Sequence, residues 1–132
     1  MTAWQAALAA EHQAVYGYGL LGPYLQDATA RTLAVSCFDA HGALVAATSA
    51  ALAAAGQEPV GPLADYPGLP AVQTDAQARA LAARLEDECA QAWRYLYAQD
   101  AQRRTSAQQG LTASAVRAAR WRGTTSPFPG LA

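Results

Sequence analysis

Glu11 is the first residue whose position calls for chemistry. Trp4, Leu8, Glu11, Val15 and Tyr18 recur at spacings of three and four, so they share one helical face. A carboxylate on an otherwise apolar face points into a core. There it must be ion-paired, protonated or bound to a metal. Metal binding is the sharpest reading. A dinuclear carboxylate site in a four-helix bundle takes one Glu from each of two helices and a Glu-x-x-His from each of the other two. Glu11 and either Glu86 or Glu88 could supply the single carboxylates. His41 has Phe38 three positions before it rather than a carboxylate, and the segment from Ser106 to Arg122 has no Asp, Glu or His at all. The six-ligand set cannot be assembled from this chain.

A mononuclear site made of Glu11, Cys37, His41 and Glu88 is the reduced alternative, holding one ion such as iron, manganese or zinc. Cys37 and His41 lie one helical turn apart and can face a common point. Their spacing fits no common zinc pattern. The competing reading, which takes no cofactor, is a buried polar network. In it Arg94, Arg117 or Arg120 offers Glu11 a bidentate partner and tyrosine hydroxyls such as that of Tyr18 complete the shell. His12 lies beside the main stripe near Tyr16, where a lone histidine is expected to be a hydrogen-bonded structural residue. No Ser-His-Asp order, nucleophile elbow or glycine-rich phosphate loop is present.

Four helical segments position these groups. They are expected over about 3–21, 27–55, 75–102 and 106–122 within one domain spanning 1–132. A crossover runs over 56–74 and an extended tail over 123–132. Thr2 and Thr74 or Asp75 are the capping candidates, Asp27 falls in the first turn of the second segment, and Gly56 is its expected C′ residue. The first and second segments, and the third and fourth, are separated by only a few residues, which makes each pair antiparallel neighbours. The stretch from Gln57 to Gln73 holds four of the seven prolines. Fully extended it reaches about 55 Å, more than the ~40 Å rise of a helix of this length. The economical architecture is therefore all-α, two helical hairpins joined by one long crossover.

Composition agrees. Of 132 residues 35 are alanine, and lysine, asparagine and isoleucine are absent, so all nine basic side chains are arginine. Alanine favours helix, and the scarcity of β-branched aliphatics disfavours sheet. A net charge of -1 argues against non-specific nucleic-acid binding, which needs clustered positive charge. The longest uncharged run, Gly42 to Gln57, is too short and too weakly apolar for a membrane span. The start of the chain lacks a signal peptide's basic and apolar regions. Two cysteines do not make a disulfide framework, and free thiols fit a cytoplasmic protein.

The segment Ala10-Glu11-His12-Gln13-Ala14-Val15-Tyr16-Gly17-Tyr18-Gly19 resembles the opening signature of the ferritin-like domain of unknown function 4439, an actinobacterial family. Leu111 to Arg122, with the tail Phe128-Pro129-Gly130-Leu131, resembles its closing signature. The resemblance implies a ferritin-like four-helix bundle and no established activity. One departure stands out. In the family a histidine in the middle of helix two is followed shortly by Arg-Arg-Asp, whereas His41 is followed by Gly42, Ala43, Leu44, Val45 and Ala46. If the charged triplet does polar work inside the bundle, this chain has lost it; if it sits outside, Leu44 and Val45 add apolar surface that would form a subunit contact, in keeping with an expected homodimer. The expectation is a non-catalytic structural or protein-interaction domain. The alternative is a metal-binding or redox protein with a reduced site around Glu11. A small-molecule cavity between helices near Glu11 and Tyr18 is a third possibility.

Overall fold

The computed structural model describes residues 1–123 and 129–130. Among these, four α-helices carry the fold: α1 Ala3–Leu21, α2 Ala28–Ala54, α3 Asp75–Gln99 and α4 Arg104–Arg122. Each of the first three starts at a side-chain cap. Thr2 accepts from the Gln5 amide, Asp27 from that of Ala30 and Thr74 from that of Gln77. Asp27 is thus a cap rather than a first-turn residue. Gly56 at φ 79° and Gly123 at φ 74° take the left-handed conformation just beyond α2 and at the end of α4.

The boundary between α3 and α4 differs from the sequence expectation. Asp100 is extended, and its carboxylate accepts from the Gln102 amide and from Arg103. This ends α3 at Gln99, makes Ala101–Arg103 a 3-10 turn and starts α4 at Arg104. The hydrophobic period alone carried α3 through a position where a short acidic side chain competes for backbone donors. Of the expected tail, 124–128 and 131–132 lie outside the described residues.

Side-chain pairings fix the directions. Glu11 meets His41 and Tyr18 stacks on His41, so α1 and α2 are hairpin neighbours. Tyr18 reaches Glu86 while Glu11 reaches Trp93, which makes α1 and α3 antiparallel. Arg117 meets Glu86 and Arg122 meets Asp87, closing the α3–α4 hairpin. With α1 antiparallel to both, α2 and α3 run in the same direction, so the connection must travel the height of the four-helix bundle. It does so along α1. Gln5 holds the backbone of Glu58 and Val60, His12 meets the Val60 carbonyl at 3.0 Å, and Tyr16 donates to Asp65.

Small residues set the helix spacing. A Cβ on Gly17 would come within 2.5 Å of Leu85, and one on Gly110 within 2.5 Å of Trp93. Glycine there lets α3 approach α1 and α4 closely. Leu8, Leu21, Leu52, Leu81, Leu85 and Leu96 fill the layers between. α2 is the outlier. Only Ala30, Ala34, Cys37, His41, Thr48 and Leu52 along it are buried. Its most apolar 18 residues have a mean hydropathy of 1.3, enough by length and composition alone to cross a membrane.

Candidate functional site

Four side chains with no accessible surface, Glu11, His41, Glu86 and Ser114, come one from each helix, and the first three meet at mid-height in the core. Each sits on the inner stripe of its helix. On α3 that stripe runs Ala82, Glu86, Cys89, Trp93 and Leu96.

His41 is the centre. Its Nδ1 meets Glu11 Oε2, and its Nε2 meets Glu86 Oε2 at 2.8 Å. A carboxylate can only accept, so both ring nitrogens donate and the ring is an imidazolium. Burial opposes this charge, but the hydrogen bonds and negative fields of Glu11 and Glu86 outweigh it and hold the His41 pKa up at about 9. For Glu86 burial acts upward, and His41, Arg117 and Tyr18 together bring its carboxyl below the ordinary value.

The outer lone pairs of the two carboxylates are also used. Trp93 Nε1 donates to Glu11 Oε1 at 2.8 Å. Tyr18 donates its hydroxyl proton to Glu86 Oε2 at 2.6 Å and accepts from Trp121 Nε1 at 2.9 Å. Arg117 Nε donates to Glu86 Oε1 at 3.0 Å, with its Nη2 at 3.4 Å from Ser114 Oγ. The chain Trp93–Glu11–His41–Glu86–Tyr18–Trp121 is continuous, and every described buried side-chain polar atom has a partner. Two carboxylates face one imidazolium and one guanidinium, so the formal charges cancel.

Two thiols border the network. Cys89 Sγ lies 3.5 Å from the Ala10 carbonyl, and its sulfur, a Glu11 oxygen and a His41 nitrogen lie within 4.8 Å of one another. Burial, then the carboxylates of Glu11 and Glu86, push the Cys89 thiol well up, so it is protonated at neutral pH. Cys37 is buried one turn before His41. Its pKa is also raised, by burial against the opposing hydrogen bond of Tyr18.

The sequence-derived candidates divide. Glu11, His41, Tyr18, Arg117 and Cys37 come together at the network or its border. Arg117 and Tyr18 bind Glu86, though, and the partners of Glu11 are His41 and Trp93. Arg94 donates to the Pro129 carbonyl, and Arg120 is exposed. Glu88 faces outward, where it takes Arg84 and Gln13. The carboxylate inside is Glu86, two residues earlier and one of the two carboxylates the spacing offered. The Ala82–Glu86–Cys89–Trp93 spacing would have chosen between them. Trp93, Trp121 and Ser114 carry no sequence signal beyond lying on inner stripes. The two clefts described lie away from the network. One, of about 1380 Å³, is an open groove between α3 and α4 near Leu111, Val116 and Pro129, and the other, of about 480 Å³, lies between α1 and the crossover near Tyr16 and Tyr66.

Fold and site together define an all-helical four-helix bundle built around a closed, charge-balanced polar core. The chain belongs to the family described as domain of unknown function 4439, whose model matches residues 3–132. It is similar to the crystal structure of a conserved hypothetical protein from Mycobacterium tuberculosis, with 34% identity, 92% of each chain covered and a TM-score of 0.85. No curated protein matches it.

Proposed function

We propose that this chain is a ferritin-like bundle acting as a non-catalytic structural or protein-interaction domain, in which an internal ion-pair network takes the place of a dinuclear metal site. The observation that carries the reading is on α4. A di-metal bundle of this architecture draws a Glu-x-x-His from two helices. The corresponding pair on α4 is Ser114-x-x-Arg117, and on α2 the position three before His41 is Phe38, an exposed apolar residue with no ligand atom. The guanidinium of Arg117 already binds Glu86, and both His41 nitrogens are engaged by carboxylates. Four carboxylates with two divalent cations sum to zero, as do two carboxylates with His41 and Arg117. The protein's own cations thus supply the charge that metal ions would bring, and the residues present do not fit a dinuclear centre. A cytoplasmic setting suits the two buried free thiols.

The cluster of Glu11, His41 and Cys89 donors favours a second reading, a single ion of the zinc type on mixed N, O and S ligands. Such an ion must displace the protons of His41 and Cys89, so its affinity would rise with pH. Elemental analysis of tag-free protein, before and after incubation with iron(II), manganese and zinc near pH 7, separates the two. Substoichiometric metal throughout is expected. One tightly held equivalent that is lost on Glu11→Gln substitution would replace the first reading with the second.

A further inference from the structure

The cleft between α1 and the crossover has a chemistry that the buried network does not use. It holds about 480 Å³ and is walled by the last turns of α1, by the turn Gly22–Tyr24 and by residues 65–72. That size is ordinary for a small-molecule site. Tyr16, Tyr24 and Tyr66 supply aromatic walls, and Leu20 and Pro70 add aliphatic surface. Among the described residues, Asp65 is the single charged group that lines it. Arg84 reaches the Gly68 carbonyl from α3, but it is paired with Glu88 and does not line the cleft.

The groups in this cleft are held in place by one another. Asp65 Oδ1 accepts from the Tyr16 hydroxyl at 3.0 Å and from the Tyr66 amide at 2.8 Å. These bonds leave Oδ2 without a partner among the described residues. The Tyr66 hydroxyl accepts from the Leu63 amide at 3.1 Å, and its ring centroid lies 5.0 Å from that of Tyr16, with the planes at 52°. Two aromatic rings and a carboxylate are thereby fixed together before any ligand arrives, so a ligand would have little left to order.

From these features we infer that the cleft binds a small organic cation, a methylated or quaternary ammonium group seated on the tyrosine rings beside Asp65. The sign of the ligand follows from the carboxylate. An anion would meet Asp65 with no basic lining group to offset it, and a neutral apolar ligand would desolvate the carboxylate without compensation. The kind of cation follows from the walls. A hard metal ion needs several oxygen ligands, and this cleft offers one carboxylate. A bare ammonium is compact and strongly hydrated. A methylated ammonium is attracted by the ring faces and also buries its methyl groups against them. The cleft lies apart from Glu11, His41 and Glu86, so this inference stands or falls independently of the reading proposed for the network.

The test is an NMR titration of the full chain, at low ionic strength, with choline and with 3,3-dimethyl-1-butanol, its neutral isostere in which carbon replaces nitrogen. Choline should give saturable shifts confined to residues 16–24 and 65–72, with a Kd in the low millimolar range. The isostere should bind about tenfold more weakly or not at all. Asp65→Asn keeps an acceptor for Tyr16 and for the Tyr66 amide but removes the charge. It should weaken choline roughly threefold or more and leave the isostere unchanged. Tyr24→Leu alters a ring that is 42% exposed, and should weaken choline by a similar factor with an unchanged thermal midpoint. Choline shifts that do not saturate by about 50 mM, that spread over the bundle, or that the isostere matches overturn the inference. So does choline binding indifferent to both substitutions.

Discussion

The charge on His41 makes a pH-dependent contribution to stability whose size and sign follow from its surroundings. The unfolded chain releases the His41 proton near pH 6.5 and the folded chain near pH 9. A folded-state value above the unfolded one means stability that is fully present below about pH 6.5 and lost as pH rises through about 9. Between about pH 5.5 and 8.5 the loss is on the order of 2–3 kcal/mol. With an m-value of about 2 kcal/mol/M, the urea midpoint falls by roughly 1 M over that interval. Stopping near pH 8.5 matters. Cys37, Cys89 and Tyr18 also have raised values and would add losses of the same sign above it. A His12→Gln background removes the only other imidazole. The same protein labelled with nitrogen-15 should show two protonated ring nitrogens on His41 at about pH 7. A urea midpoint that does not fall between about pH 5.5 and 8.5, or a ring with one N–H at neutral pH, would refute the imidazolium assignment and with it the charge balance of the core.

Other consequences of the packing are open to the same equilibrium measurements. Trp93→Phe keeps the ring but strips Glu11 Oε1 of its donor, and should cost about 1–3 kcal/mol in urea unfolding. Gly110→Ala gains helix propensity, yet its Cβ must displace Trp93, so a net loss of about 1–2 kcal/mol and a changed tryptophan emission spectrum are expected. Asp27→Ala removes the α2 cap and an exposed contact to Arg79, and should lower the urea midpoint by an amount nearly independent of salt. Glu86→Gln leaves His41 and Arg117 without their shared carboxylate. It should cost about 3–5 kcal/mol, whereas Glu88→Gln, on the outside of the same helix, should change the urea midpoint little.

Much of the architecture was legible because it rests on local chemistry. Alanine content, the period of apolar residues, the caps at Thr2 and Thr74 and the proline-rich stretch after Gly56 each act over a few residues. Together they give two hairpins and a crossover. The α3–α4 boundary was not legible, because Asp100 ends the helix by capturing nearby donors, which periodicity does not register. The sequence also singled out Glu11 as a buried carboxylate in need of a partner. It did not name that partner. Arginine from another helix and histidine from the hairpin neighbour are equally good counter-ions on paper. The choice depends on which side chains reach mid-height together.

What the sequence by itself determined is the helical class, the hairpin connectivity and the presence of a polar group inside the bundle, all consequences of spacing along one chain. Only the tertiary structure decided that Glu86 rather than Glu88 faces inward, that His41 is held doubly protonated between two carboxylates, and that Arg117 completes the charge balance while Arg94 and Arg120 face elsewhere. Those outcomes depend on how four helices are rotated about their axes. That rotation is set by close approach at Gly17 and Gly110 and by the cost of leaving any charge unpaired in a dry core.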